Sequence, residues 1–245
     1  MVAAITVEDL TIGWGDRILM QGVTFEIPKG ETFVILGGSG CGKSTLLQHL
    51  IGLQVPKAGR IHIEGVGTPD LGVGRPRFGV MFQSGALFGS MTLLENVSLP
   101  IRKWTGLPPE AVRAIALSRL ELVALGGFEN FLPAEISGGM KKRAGIARAL
   151  ALDPSLLFLD EPSAGLDPIS AVELDDLLLA LNKALGVTIV LVTHELSSIF
   201  KVGKGCIMLD KETKGIIARG DPRELRDKSQ DPRVSDFFNR RPRKA

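Results

Sequence analysis

Gly37-Gly38-Ser39-Gly40-Cys41-Gly42-Lys43-Ser44 is the part of this chain best equipped for chemistry. It has the GxxxxGK[ST] spacing of a P-loop. An apolar run at 32–36 precedes it, and an apolar helical run opens after it at Thr45 and Leu46. Glycines let backbone N–H groups turn inward around phosphate oxygens, where side chains would obstruct them. The helix N-terminus adds the positive end of its dipole. Lys43 offers charge to β- and γ-phosphates, and the Ser44 hydroxyl suits Mg²⁺. A glycine-rich turn without a ligand is the bland alternative, and the flanking strand and helix outweigh it. Cys41 reads better as a small residue at a permissive position than as a redox switch.

Leu156-Leu157-Phe158-Leu159-Asp160-Glu161 is an apolar strand ending in two carboxylates. Beside a P-loop, Asp160 suits a metal reached through water, and Glu161 suits a general base for an attacking water. Ile136-Ser137-Gly138-Gly139-Met140 places exposed N–H groups before a helix, another anion-binding terminus. Lys141, Lys142 and Arg143 follow in the first turn, where the helix dipole disfavours cations by about 0.3–1 kcal/mol each. A nearby phosphate would compensate them; a solvated basic face is the alternative, and these residues alone do not decide. His49 and His62 lack metal-ligand spacing. Gly37, Gln83, Asp160 and His194 each end an apolar run, and the carboxyl edge of a parallel sheet is where ligands bind.

The elements that must position these residues form an α/β pattern. Half-buried strands are expected at 5–10 and 23–27, and buried strands at 32–36, 78–82, 156–159 and 188–192. Helices are expected at 108–125, 140–152 and 173–185. A hairpin is expected at 206–209 and 215–218, and a helix start at Asp221-Pro222-Arg223-Glu224. The stretch 94–153 reads as a helical insertion.

Composition narrows the class further. With 245 residues the chain can build a sizeable core. It carries 29 basic and 27 acidic residues, net +2, which gives no ground for a nucleic-acid partner. The tail residues Arg240, Arg241, Arg243 and Lys244 read as solvated. Mean hydropathy is +0.20, yet no stretch approaches the roughly 20 apolar residues of a membrane span. Disorder is excluded by the 44% hydrophobic content. Two separated cysteines argue against a zinc site or a disulfide framework, and a reduced cytoplasmic compartment without a secretory leader is expected.

These motifs together resemble the ATPase subunits of ABC transporters over nearly the whole chain. Residues 37–44 look like Walker A and Asp160-Glu161 like Walker B with its catalytic glutamate. Gln83 resembles the Q-loop glutamine, Ser137-Gly138-Gly139 the signature, Gly165-Leu166-Asp167 the D-loop and His194 the switch histidine. Trp14 stands where the family has an aromatic on adenine, usually Tyr, which this chain lacks. The signature reads Ile-Ser-Gly-Gly-Met rather than Leu-Ser-Gly-Gly-Gln. This signature, residues 82–88 and Asp231-Pro232-Arg233-Val234 with Phe237-Phe238 resemble the MCE-associated, Mla-type phospholipid transport ATPases.

The resemblance implies a P-loop NTPase fold: a mainly parallel sheet, an N-terminal antiparallel β subdomain and a helical insertion. It implies one nucleotide-binding domain over 1–245, with a helical subdomain at about 94–153 and a C-terminal extension at about 221–245. It implies ATP on Trp14 and residues 37–45, with Lys43, Glu161 and His194 catalytic. Mg²⁺ would lie at Ser44, Gln83 and Asp160. Ser137, Gly138, Gly139 and Asp167 would cover ATP on a second copy of the chain. Permease subunits, an MCE-domain lipid-binding protein and a small regulatory subunit are the implied further partners, on the cytoplasmic face of the inner membrane. The uncharged, apolar stretch after Gln83 is a candidate groove for a permease coupling helix. Core side chains are the alternative, and some must be core, but Phe88, Met91 and Leu94 are more apolar than a loop needs. Residues 221–245 would make a subunit or regulatory contact. An ABC ATPase for an amino acid or other small solute is the main rival. A non-transport ABC ATPase would carry coiled-coil insertions or tandem domains, and a P-loop kinase or GTPase would lack Ser-Gly-Gly.

Overall fold

Twelve-residue strands open the chain: β1 (Ala3–Trp14) and β2 (Arg17–Pro28). Then come β3 (Thr32–Gly37), α1 (Lys43–Leu50), β4 (Ala58–Ile63) and β5 (Gly79–Met81). Next are α2 (Leu93–Trp104), α3 (Pro109–Leu122), α4 (Gly138–Ala149), β6 (Leu156–Asp160) and α5 (Pro168–Leu185). Finally come β7 (Thr188–Val192), α6 (Leu196–Val202), β8 (Gly205–Asp210), β9 (Gly215–Gly220), α7 (Pro222–Lys228) and α8 (Pro232–Phe238). The computed structural model describes residues 2–70, 74–83 and 85–241, so Ser84, Arg243 and Lys244 lie outside the described residues. The chain divides into two compact units, 1–74 with 188–245, and 75–187.

The first unit holds two sheets. β2, β1 and β4 pair antiparallel in that order. Ile5, Val7, Leu10 and Ile12 of β1 are fully buried, as a strand with one covered face requires. β4 is absent from the sequence expectations, because only Ile61 and Ile63 of its six residues are buried and no apolar run announces it. In the second sheet β3 lies between β7 and β8, parallel to both, and β9 closes the expected hairpin antiparallel to β8. Every residue of β3 and β7 is buried, which is why both read as continuous apolar runs.

The end of the chain packs on this same unit. Asp221 and Asp231 cap α7 and α8, each accepting from the N–H two residues on, with Pro at the first helical position. Val234 and Phe238 are buried, and the Phe238 ring lies 5.6 Å from that of Phe200.

In the second unit β5 and β6 pair in parallel. Between them the described residues from 85 to 155 carry helices and no strand, as expected for 94–153. α2 is absent from the sequence expectations, although Thr92 and Glu95 spell a capping box: Thr92 Oγ1 accepts from the Glu95 N–H and Glu95 Oε2 accepts from the Thr92 N–H. α4 begins two residues before the expected start and α5 five before. Ser137 and Asp167 supply side-chain caps that absorb the flanking residues into the first turn.

Candidate functional site

The glycines of 37–42 have a mechanical reason. Gly37, Gly40 and Gly42 adopt φ of 147°, 74° and 100°, which L side chains rarely take. A Cβ on Gly37 would stand 2.4 Å from the Leu209 carbonyl oxygen and 2.7 Å from Cys41 Sγ. The loop is thus pressed against β8 on one side and leaves Gly38, Ser39 and Gly40 exposed on the other. Lys43 and Ser44 open α1, and Thr45 continues it, so their N–H groups belong to the orphan donors of a helix N-terminus. The Lys43 ammonium donates to the carbonyls of Gly37 at 2.9 Å and Gly38 at 3.2 Å. Cys41 is buried beneath the loop, and desolvation pushes its thiol up despite the nearby Lys43 charge. That position fits a small packing residue.

Strand register levels the polar residues in pairs. Ile35 faces Val192 across the parallel β3–β7 pair, so Gly37 and His194, each two residues further on, end the same edge. His194 is exposed there, with Nε2 3.7 Å from Glu195 Oε1. Met81 faces Leu159 across β5–β6, which puts Gln83 level with Glu161. Gln83 is exposed, whereas Asp160 and Glu161 are buried. Glu161 has φ 47°, an uncommon conformation for a residue with a side chain.

Two of the three cations at the head of α4, Lys142 and Arg143, are bonded within the fold. Lys142 is 7% exposed, and its ammonium donates to the Gln83 carbonyl and, at 3.3 Å, to the Glu161 carbonyl. Burial lowers its pKa, opposed by the charges of Glu161 and Asp160. Arg143 pairs with Glu173 on α5. Arg148, which the sequence does not single out, donates to the carbonyls of Ala86 at 2.6 Å and Gly85 at 3.1 Å. The only sequence signal for either role is the spacing, since 142, 145 and 148 fall on one helix face.

At the head of α4, Ser137 Oγ accepts from the Met140 N–H at 3.2 Å, and Gly138 is exposed while Gly139 is buried. Asp167 Oδ1 accepts from the N–H groups of Ile169 and Ser170 at 3.0 Å each. Hydrogen bonds, chiefly from Ser170, hold its carboxyl below the usual range. Trp14 is half exposed at the end of β1. Of the expected groove residues, Phe88 is 51% exposed and Met91 half-buried, but Leu94 is only 8% exposed. Leu94 is therefore corrected from groove to core, because it sits in the first turn of α2 facing inward. Phe82 joins the exposed aromatics instead.

A model of the ABC transporter family matches residues 20–164, a span that contains the P-loop, Gln83, the Ser-Gly-Gly segment and the paired carboxylates. This chain belongs to the ABC transporter family. The cassette is 43% identical, over 98% of its length, to the probable ribonucleotide transport ATP-binding protein mkl of Mycobacterium leprae, covering 70% of that protein. It is 39% identical over 96% of its length to the intermembrane phospholipid transport system ATP-binding protein MlaF of Haemophilus influenzae, covering 89% of it. The Escherichia coli K12 MlaF is 36% identical, with 96% and 88% covered. Among solved structures, cbiO1 of Clostridium perfringens, part of the ABC transporter complex cbiONQ, superposes with a TM-score of 0.83 at 30% identity, covering 93% and 92% of the two chains. The dimeric ATP-binding cassette MJ0796, in a post-hydrolysis state with ADP and Pi, gives 0.77 at 33% identity, covering 89% and 98%. The chain is accordingly an ABC ATPase cassette with the α/β fold its sequence implies. Among its described residues no helix is long and apolar enough to cross a membrane.

Proposed function

We propose that this cassette hydrolyses ATP to drive phospholipid movement by a membrane complex. The reading rests on its identity to the two MlaF proteins across nearly the full length of both partners. Lys43 and the N–H groups of 37–45 bind the phosphates, and Trp14 stacks on adenine. Two copies act together, with Ser137, Gly138, Gly139 and Asp167 of one completing the ATP site of the other; the dimeric cassette it resembles supports this.

Ser44, Gln83 and Asp160 would hold Mg²⁺. Hydroxyl, amide and carboxylate oxygens are the hard donors this ion takes, with one or two carboxylates beside substrate phosphates. Bound there, the ion would neutralise charge on the phosphates. Glu161 accepts a proton from the attacking water, and His194 stabilises charge developing on the γ-phosphate. Permease subunits, an MCE-domain lipid-binding protein and a small regulatory subunit complete the assembly, and the cassette lies peripherally on the cytoplasmic face of the inner membrane. The exposed rings of Phe82 and Phe88 supply an apolar surface for a permease helix.

Affinity purification of the tagged chain from membranes tests the reading. Co-purification of a permease with an MCE-domain protein is expected. Recovery of a solute-binding protein in their place would overturn the lipid assignment in favour of a small-solute importer.

A further inference from the structure

The helix that starts at the Ser-Gly-Gly segment reaches two other parts of the proposed site through one side chain. Lys142 lies one turn into α4, and its partners are 59 residues earlier and 19 residues later in the chain. A buried ammonium is costly unless bonded, so its partners are held firmly. Both partners are backbone carbonyls, and β5–β6 pairing sets them level. The neighbouring face of α4 tightens the fit. A Cβ on Gly145 would stand 3.1 Å from Met81 Cγ and 3.3 Å from Gly85 Cα, so the helix runs close along this segment. One turn further, Arg148 holds the carbonyls of Gly85 and Ala86. Glu161 meanwhile sits at φ 47°, a left-handed conformation that persists only where surroundings over-determine it. Its carbonyl accepts from the Ala164 N–H at 3.2 Å as well as from Lys142.

We propose that Lys142 is a positioning residue for hydrolysis: it ties the backbones of Gln83 and Glu161 to the signature helix, so that the glutamine, the water-activating carboxylate and the Ser-Gly-Gly terminus keep one register. This rests on the assignment of Glu161 as base given above. A displacement of α4, as when its N-terminus engages a partner's nucleotide, is then transmitted to Gln83 and Glu161 together. The Lys142 ammonium is engaged by two backbone carbonyls. Its loss therefore lowers kcat and leaves ATP binding alone.

The test uses the purified full chain with Lys142→Met and Lys142→Arg. Lys142→Met keeps length and apolar volume but cannot donate. It is expected to bind a fluorescent ATP analogue within about 2-fold of wild type, to keep KM, and to lose about 10–100-fold in kcat, as misplacing a catalytic group by an ångström does. Lys142→Arg, which can donate to both carbonyls, should recover most of the rate. Wild-type kcat in folded Lys142→Met, or an equal loss in KM and affinity, overturns the proposal. Should Lys142→Met not fold, Lys142→Gln, a shorter and uncharged donor, is expected to fold with intermediate kcat, and wild-type kcat there also overturns it. Glu161→Gln is the control. If that variant turns over like wild type, the base assignment has failed; if it is inactive while Lys142→Met is fully active, only the positioning role has.

Discussion

Arg233 on α8 places Nη1 3.2 Å from Asp210 Oδ2 at the end of β8, while Nη2 holds Asp231 at 2.6 Å. Asp210 is 2% exposed and also accepts from the N–H groups of Glu212 and Thr213. It follows Leu209, whose carbonyl presses on Gly37, so the last helix is anchored to the strand beside the P-loop. Arg233→Ala should destabilise the chain by about 2 kcal/mol, the scale of hydrogen bonds to a charged group. Arg226→Ala, which loses an exposed pair with Asp227 and the guanidinium over the Phe200 ring, should cost less. Urea unfolding midpoints compare the two. A smaller effect for Arg233 than for Arg226 would show that the anchor contributes nothing.

The two thiols give a pH signature. Cys206 is buried, and desolvation pushes its pKa from an ordinary 9.0 to about 12. The folded chain thus keeps this proton where the unfolded chain has lost it, so stability should fall as pH rises from about 9 towards 12. Cys206→Ser should flatten that slope. At pH 8.5 iodoacetamide should label neither Cys41 nor Cys206 in the folded chain and both in denaturant, read by mass spectrometry. Rapid labelling of the folded chain would place a thiol at the surface.

Local steric demands are legible in sequence, and long-range partners are not. The P-loop could be read from Gly37, Gly40 and Gly42 because their backbone angles require glycine. The buried strands β3 and β7 could be read because both faces are covered. Lys142 could not. Its charge near a helix N-terminus looks misplaced until the carbonyls of Gln83 and Glu161 are beside it, and no local pattern announces them. Leu94 misleads for the opposite reason: an apolar residue looks alike in a groove and in a core. The capping box of Thr92 and Glu95 is the local sequence signal for α2.

Asn96 is fully buried and fastens the turn before α2. Its Oδ1 accepts from the Phe88 N–H at 2.8 Å, and its Nδ2 donates to the carbonyls of Phe88, Met91 and Thr92 at 3.0–3.1 Å. Asn96→Ala should cost about 2–4 kcal/mol, because it strands several polar groups at once. Glu95→Ala removes only the exposed half of the capping box and should cost less than Asn96→Ala. Amide exchange at Phe88 separates the two: it should accelerate in Asn96→Ala and hardly change in Glu95→Ala. The exposed Phe88 ring depends on this turn for its placement, so the permease docking proposed above predicts weaker helix binding in Asn96→Ala as well.

Lys43 offers the sharpest separation of binding from folding. Its ammonium is bonded to the Gly37 and Gly38 carbonyls at a half-exposed site, so losing those bonds should cost the fold no more than about 1 kcal/mol. Losing the charge is different, because in the proposed site the phosphates then lose the ammonium and keep only the N–H dipoles and the Mg²⁺. Lys43→Ala should therefore lower its unfolding midpoint by no more than that cost while ATP affinity falls at least about 10-fold, the change that about 1.4 kcal/mol produces. Lys43→Arg should not restore affinity, since a planar guanidinium cannot replace a compact ammonium within the loop. Equilibrium binding of a fluorescent ATP analogue beside urea unfolding measures both quantities on the same samples. Unchanged affinity in folded Lys43→Ala would remove the loop from the nucleotide site.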